Sequence, residues 1–286
     1  MSTIRQTKNR IKSVQTTAKI TKAMQAVAAM RLRRYSRKCE VATKYSENLK
    51  TSLDSALVSI PNVENYPILS GNPNGKTLVV VVAPSRGFCG GLHRTCVSET
   101  FKFLEAHNIN ALDNDRVEFL TVNRPGFRVI SKLGCAVKAN FAGPYKEVDP
   151  YIILPISELI FRLWLKGEYS KVYITFAKTS SSLKPNVISQ QILPFVVAES
   201  VAKENPINDD TDFDGILNEA VPQYLQGLIN FAILSTQTAE EGARMVAMNQ
   251  ATDNAKELTK KLQLVFFRQR QAKITQEISE IIGGSF

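Results

Sequence analysis

The residues with the most evident capacity for chemistry lie in one short stretch, Ser85-Arg86-Gly87-Phe88-Cys89-Gly90-Gly91. A glycine-rich turn between a strand and a helix can aim backbone N–H groups at a phosphate. The spacing here is neither GxGxxG nor GxxxxGK[ST], so a tight glycine turn is the preferred reading. Cys89, His93 and Cys96 follow at i, i+4 and i+7, on one helix face. Three such ligands can hold a metal, but no fourth ligand is evident. His93 and His107 are the only histidines, and neither GxSxG nor HExxH occurs. No set of residues assembles a nucleophile, a base and an oxyanion donor, and no cofactor is expected.

The elements around this stretch read as an α/β sheet. Thr77–Ala83 is short, β-branched and apolar throughout, as in a buried parallel strand. The glycine turn and a helix reaching about His107 follow it. Val117–Asn123, Ala136–Phe141 and Lys171–Ala177 are further strands, with helices predicted over Arg124–Leu133 and Ile152–Lys166. In the second of these, Pro155 is tolerated only in the first turn. Val187–Val197 alternates like an edge strand or hairpin. Strands alternating with helices predict a Rossmann-like α/β domain over 76–200.

Both ends of the chain are helical by composition. Ser2 to about Leu57 holds neither Pro nor Gly, and Ile4, Ile11, Val14, Ala18, Met24, Val27 and Ala28 step as a helical stripe. After Pro222 no proline recurs, and Met245, Met248, Thr252, Ala255, Leu258, Leu262, Val265, Gln269 and Ala272 step mostly by three and four. A helix of about 55 residues is ~80 Å long, too long for its own domain to cover. The two segments, 1–60 and 210–286, therefore predict an antiparallel coiled coil with imperfect heptads.

Charge is uneven along the chain. The 286 residues carry 36 Lys and Arg against 26 Asp and Glu, net +10. Residues 1–50 alone hold 13 basic and 2 acidic side chains, more than solubility requires, so the first helix should seek acid or phosphate. No apolar run approaches the roughly 20 residues that span a bilayer, and no apolar signal-peptide core opens the chain. Four Cys without a CxxC form no disulfide framework. Two classes remain: a mechanical or scaffolding component, and a basic coiled-coil nucleic-acid binder. The second lacks interleaved aromatics, since Tyr35 and Tyr45 stand alone in the first fifty residues.

Three stretches decide between them. RIKSVQTTAKITKAMQAVAAMRLRR, the turn SRGFCGGLH, and EGARMVAMNQATDNAKELTKKLQLVFFRQRQAKITQEISEIIGG resemble the gamma subunit of F-type ATP synthases, in the right order across effectively the whole chain. The resemblance implies a non-catalytic central rotor stalk. Its terminal helices would form the coiled coil inside a ring of three alpha and three beta subunits. The α/β domain would lie outside that ring, beside the epsilon subunit and the c-ring. The stalk would couple ion-driven rotation to the catalytic cycle of the beta subunits, with no nucleic-acid partner and no membrane span of its own. A place on the cytoplasmic face of the bacterial inner membrane is expected, the matrix face of the mitochondrial inner membrane being the alternative.

Residue roles follow from the same resemblance. Arg270 and Gln271 match a pair that hydrogen-bonds a beta-subunit loop as a catch, and Arg suits bidentate pairing with a carboxylate. Arg86 matches an arginine that approaches an acidic beta-subunit loop. Lys22 and Met24 match a stretch involved in coupling. Ile274, Ile278, Ile281 and Ile282 would form the apolar tip of the shaft, with GGSF fraying beyond it. FFRQR stands where YNKAR is commoner, which places Phe266 and Phe267 beside the catch.

Overall fold

Strand β1 (Lys76–Val82) is buried on both faces from Thr77 onward, as its unbroken Val run requires of a central parallel strand. The computed structural model describes residues 3–58, 66, 69, 71–142, 150–179, 185–195 and 213–283. Around β1 lie α1 (Ile4–Val58), α2 (Leu92–Ala106), β2 (Val117–Val122), α3 (Arg124–Lys132), β3 (Val137–Phe141), α4 (Pro150–Leu165), β4 (Tyr169–Thr179), β5 (Pro185–Leu193) and α5 (Phe213–Gly283). The sheet order is β3-β2-β1-β4-β5. The first four strands are parallel, and β5 closes the edge antiparallel to β4. This is the Rossmann-like α/β arrangement with long terminal helices that the sequence predicts.

Two compact units divide the chain. One comprises Met1–Met30 and Arg244–Phe286, the other Arg31–Ala243, and α1 and α5 supply residues to both.

In the Arg31–Ala243 unit the sheet buries both faces. Val79, Val81, Phe119 and Tyr173 face α2 and α3 through Val97, Leu104 and Ile130. Leu78, Val80, Val82, Leu120 and Ile174 face the opposite way, onto Ile156 and Ile160 of α4, Leu53 of α1, and Leu217, Leu225, Ile229 and Ile233 of α5. The long C-terminal helix is thus a core element of the domain. It begins before Pro222 and runs through it. Gly227 marks a close approach of the two long helices: a Cβ there would lie 3.1 Å from Leu49 Cδ1 and 3.3 Å from the Tyr45 ring. Pro155 falls in the second turn of α4, because the helix starts at Pro150 rather than near Ile152.

In the other unit the coiled coil is antiparallel and its heptad is regular, a correction to the imperfect repeat expected from the sequence. Ile4, Thr7, Ile11, Val14, Ala18, Thr21, Gln25 and Ala28 step by three and four, and all are at least partly buried. Opposite them run Met245, Met248, Thr252, Ala255, Thr259, Leu262, Phe266 and Gln269, with the same strict spacing. Polar side chains hold several of these positions and bond across the seam. The Thr7 hydroxyl donates to Gln269 Oε1 at 2.9 Å, the Thr21 and Thr252 hydroxyls meet at 2.7 Å, and Gln25 Nε2 donates to Asn249 Oδ1 at 3.1 Å. Val27, Leu258 and Val265, expected on the stripe, are exposed instead.

Candidate partner-binding surfaces

Doubly wound sheets bind ligands outside the carboxyl ends of the strands, where the strand order reverses. Here that point lies between β1 and β4, and α5 occupies it. Strand β1 stops pairing with β4 at Thr175, which leaves the Ala177 amide and carbonyl without a strand partner on that side. Hydroxyls of α5 satisfy both groups, as buried backbone requires. Ser235 Oγ donates to the Ala177 carbonyl at 2.9 Å, and the Ala177 N–H donates to Thr236 Oγ1 at 3.1 Å.

The glycine turn follows β1 directly and holds an anion, but that anion is internal. Glu240 of α5 places its carboxylate where a phosphate would sit in a nucleotide-binding relative of this fold. Its Oε2 accepts from the Ser85 N–H at 2.6 Å and its Oε1 from the Arg86 N–H at 3.1 Å. The Ser85 hydroxyl adds a bond to Oε2 at 3.1 Å. Sequence reasoning missed this residue, because its partner lies more than 150 positions away and no local spacing announces it.

Cys89 and His93 lie together, Sγ to Nε2 at 3.6 Å. Cys96 is fully buried, and burial, then the neighbouring Cys89, pushes its thiol up to about 12. Cys89 and Cys96 pack with Leu92, Ala177 and Ala239 as an apolar cluster under the turn.

The turn presents its outer side to solvent. Phe88 adopts φ 62° and is 70% exposed. Arg86 is partly exposed and gathers with basic residues of α1. Burial, then the Glu241 carboxylate, raises the Tyr35 hydroxyl above its ordinary value, and the charges of Arg31, Arg86 and Arg34 oppose that rise. Arg31 itself pairs with Glu241 at 3.6 Å. A basic cluster with one protruding aromatic therefore sits at the strand ends, built from residues far apart in sequence.

A family model for ATP synthase matches residues 3–285. The ATP synthase gamma chain of Chloroherpeton thalassium is 32% identical, over 100% of this chain and 98% of that one. That of Heliobacterium modesticaldum is 31% identical, over 100% of this chain and 99% of its own length. The chain belongs to the ATP synthase gamma chain family. Solved structures agree on the fold. A rotor chain of the Euglena gracilis mitochondrial ATP synthase superposes with a TM-score of 0.65 at 12% identity, covering 95% of this chain and 98% of that one. A chain from its OSCP/F1/c-ring assembly gives 0.67 at 13% identity, over 99% and 93%.

The gamma-chain site residues expected from sequence fall in separate places. Lys22 is exposed on α1, and Met24 is half-buried beside the seam. Arg270 and Gln271 are exposed on α5, directly after Gln269, the last seam residue. Ile274, Ile278, Ile281 and Ile282 are all exposed on the same helix, beyond the point where α1 begins opposite it. Phe266 fills a seam position, while Phe267 is exposed and meets it edge-on at 5.9 Å. The GGSF expectation lies outside the described residues from position 284 onward. No helix among the described residues is long and apolar enough to cross a membrane.

Proposed function

We propose that the chain is the non-catalytic rotor shaft of an F-type ATP synthase, turned by a membrane c-ring and turning within three alpha and three beta subunits. The observation that carries this reading is the last stretch of α5. Its isoleucines extend past the N-terminal end of α1 among the described residues and stay exposed, as a shaft end seated in another protein's sleeve would be. A rotating contact must not interlock, and a smooth apolar end meets that need. The same chain offers a different surface to each surrounding beta subunit, and a differential interaction is what shifts conformational populations.

Within that reading, Arg270 and Gln271 act as the catch. Both are exposed and adjacent, and a guanidinium fork pairs well with a carboxylate loop. Arg86, in the basic cluster at the strand ends, approaches an acidic beta-subunit loop, and Lys22 and Met24 belong to the coupling stretch. The epsilon subunit and the c-ring are partners of the domain spanning about 76–200. The complex works as a peripheral assembly on the cytoplasmic face of a bacterial inner membrane.

Co-expression with alpha and beta subunits tests the reading. The chain is expected to co-purify with them in a one-to-three-to-three ratio. Arg270→Ala with Gln271→Ala is expected to lower turnover or complex yield by about tenfold, one charged hydrogen bond's worth. Wild-type assembly and turnover in the double variant would remove the catch while leaving the shaft.

A further inference from the structure

We propose that Glu240 is a positioning residue: it fixes the Arg86–Phe88 turn to helix α5, so that the turn moves with the helix as the stalk works. The proposal rests on the stalk reading for what the motion does, and on the geometry alone for the clamp.

The clamp is built from a buried carboxylate. Glu240 is only 2% exposed, and it accepts bonds from the Ser85 N–H, the Ser85 hydroxyl and the Arg86 N–H. Bonds to an ionised acceptor are the strong ones. One helix position thus gathers two successive backbone donors of the turn. Four residues earlier on the same helix face, Thr236 bonds Ala177, so the helix is anchored to the sheet beside the clamp.

A Cβ built on Gly87, Gly90 or Gly91 would meet nothing within 4 Å, so side-chain packing does not brace those positions. Phe88 nevertheless keeps φ 62°, a region that residues with a Cβ occupy only where surroundings over-determine the backbone. The hydrogen bonds at Ser85 and Arg86 supply that determination on one side. The buried Cys89 and Leu92 supply it on the other. The result is an arginine with a fixed backbone and an exposed phenylalanine, both held by a buried residue of α5.

Glu240→Ala and Glu240→Gln in the full chain test the clamp. Amide exchange at Ser85 and Arg86 is expected to rise at least about tenfold in Glu240→Ala, the worth of one charged hydrogen bond, with Val79 to Val81 unchanged. Formate, a free carboxylate small enough for the vacated space, is expected to slow that exchange again. ATP hydrolysis by the complex assembled with alpha and beta subunits is expected to fall in Glu240→Ala and to recover with formate. Formate rescue would not follow from a general loss of fold. Glu240→Gln keeps the volume and one acceptor, and is expected to be intermediate; it decides the question if the alanine variant fails to fold. Unchanged exchange at Ser85 and Arg86 would overturn the clamp. Faster exchange with unchanged hydrolysis would overturn the positioning role. Failure of the wild-type chain to assemble would instead strike the stalk reading, and the exchange measurement would still judge the clamp.

Discussion

The Thr21–Thr252 contact yields a prediction whose size follows from counting protons. Thr252 Oγ1 donates to the Met248 carbonyl at 2.8 Å. Its single proton is then spent, so at the 2.7 Å contact Thr21 is the donor. Thr21 has a fallback, the Ala18 carbonyl at 3.2 Å. In Thr252→Val the Thr21 proton turns to Ala18, and the cost is about 0.5 kcal/mol. In Thr21→Val the Thr252 oxygen keeps its own bond but loses its donor while dry, at about 1 kcal/mol. Replacing both leaves neither hydroxyl to satisfy and gives an apolar layer, so the double variant is expected to be as stable as wild type, within about 0.5 kcal/mol. The coupling energy is therefore about 1.5 kcal/mol. Native-state hydrogen exchange at the amides flanking both residues in the full chain reads it, as local opening of the coil. Additivity of the two single changes within about 0.3 kcal/mol would refute the bond across the seam, and a larger cost for Thr252→Val than for Thr21→Val would refute the assignment of donor and acceptor.

Two further measurements address the domain. Gly126→Ala places a Cβ 2.6 Å from Ala83 Cβ, a buried atom with no rotamer to retreat to; a loss of about 1–3 kcal/mol in denaturant unfolding is expected, and an unchanged midpoint would mean that α3 shifts freely. At the opposite end of the sheet, burial would raise the Glu118 carboxyl, but bonds from Lys76 at 2.8 Å and the Tyr169 hydroxyl at 2.5 Å hold it below its ordinary value. The same contacts raise Lys76, and burial with the Glu118 bond raises Tyr169. The Glu118 contribution is complete above the unfolded value of about 4.3 and is lost as pH falls through the lower folded one. Those of Lys76 and Tyr169 are complete below about 10 and are lost as pH rises. Melting temperature should thus fall at both extremes, and Glu118→Gln should flatten the acid arm; equal acid slopes in variant and wild type would contradict the network.

The α/β order was legible because each strand is a short β-branched run bounded by turns, and because β5 alternates as an edge strand does. The first long helix was legible from its freedom from proline and glycine, and the second from the absence of proline after Pro222. The seam was legible only in part. Thr7, Thr21, Gln25 and Thr259 hold heptad positions with polar side chains, so a reading that follows mainly apolar residues drifts onto Val27, Leu258 and Val265, which the fold leaves in solvent. Pro222 breaks most helices, yet α5 runs through it, fastened on both sides by Leu217, Val221, Tyr224 and Leu225 in the core. The glycine turn departs from nucleotide loops in its spacing. What fills it was invisible, since Glu240 meets it only once the chain has folded.

That long-range closure bears on how the molecule is made. The face of the sheet that packs on α4 also needs Leu217 to Ile233, and the strand ends wait for Ser235, Thr236 and Glu240. A ribosome emits all five strands before any of these residues exists outside it. Contacts so distant in sequence form slowly, because loop closure precedes their reward. Until the last quarter of the chain emerges, a broad β surface of valine, leucine and isoleucine stays bare, a form prone to aggregation. Production of this protein is therefore tied to completing its final helix, and chains cut short within α5 would be poor starting material for assembly whatever the state of their first two hundred residues.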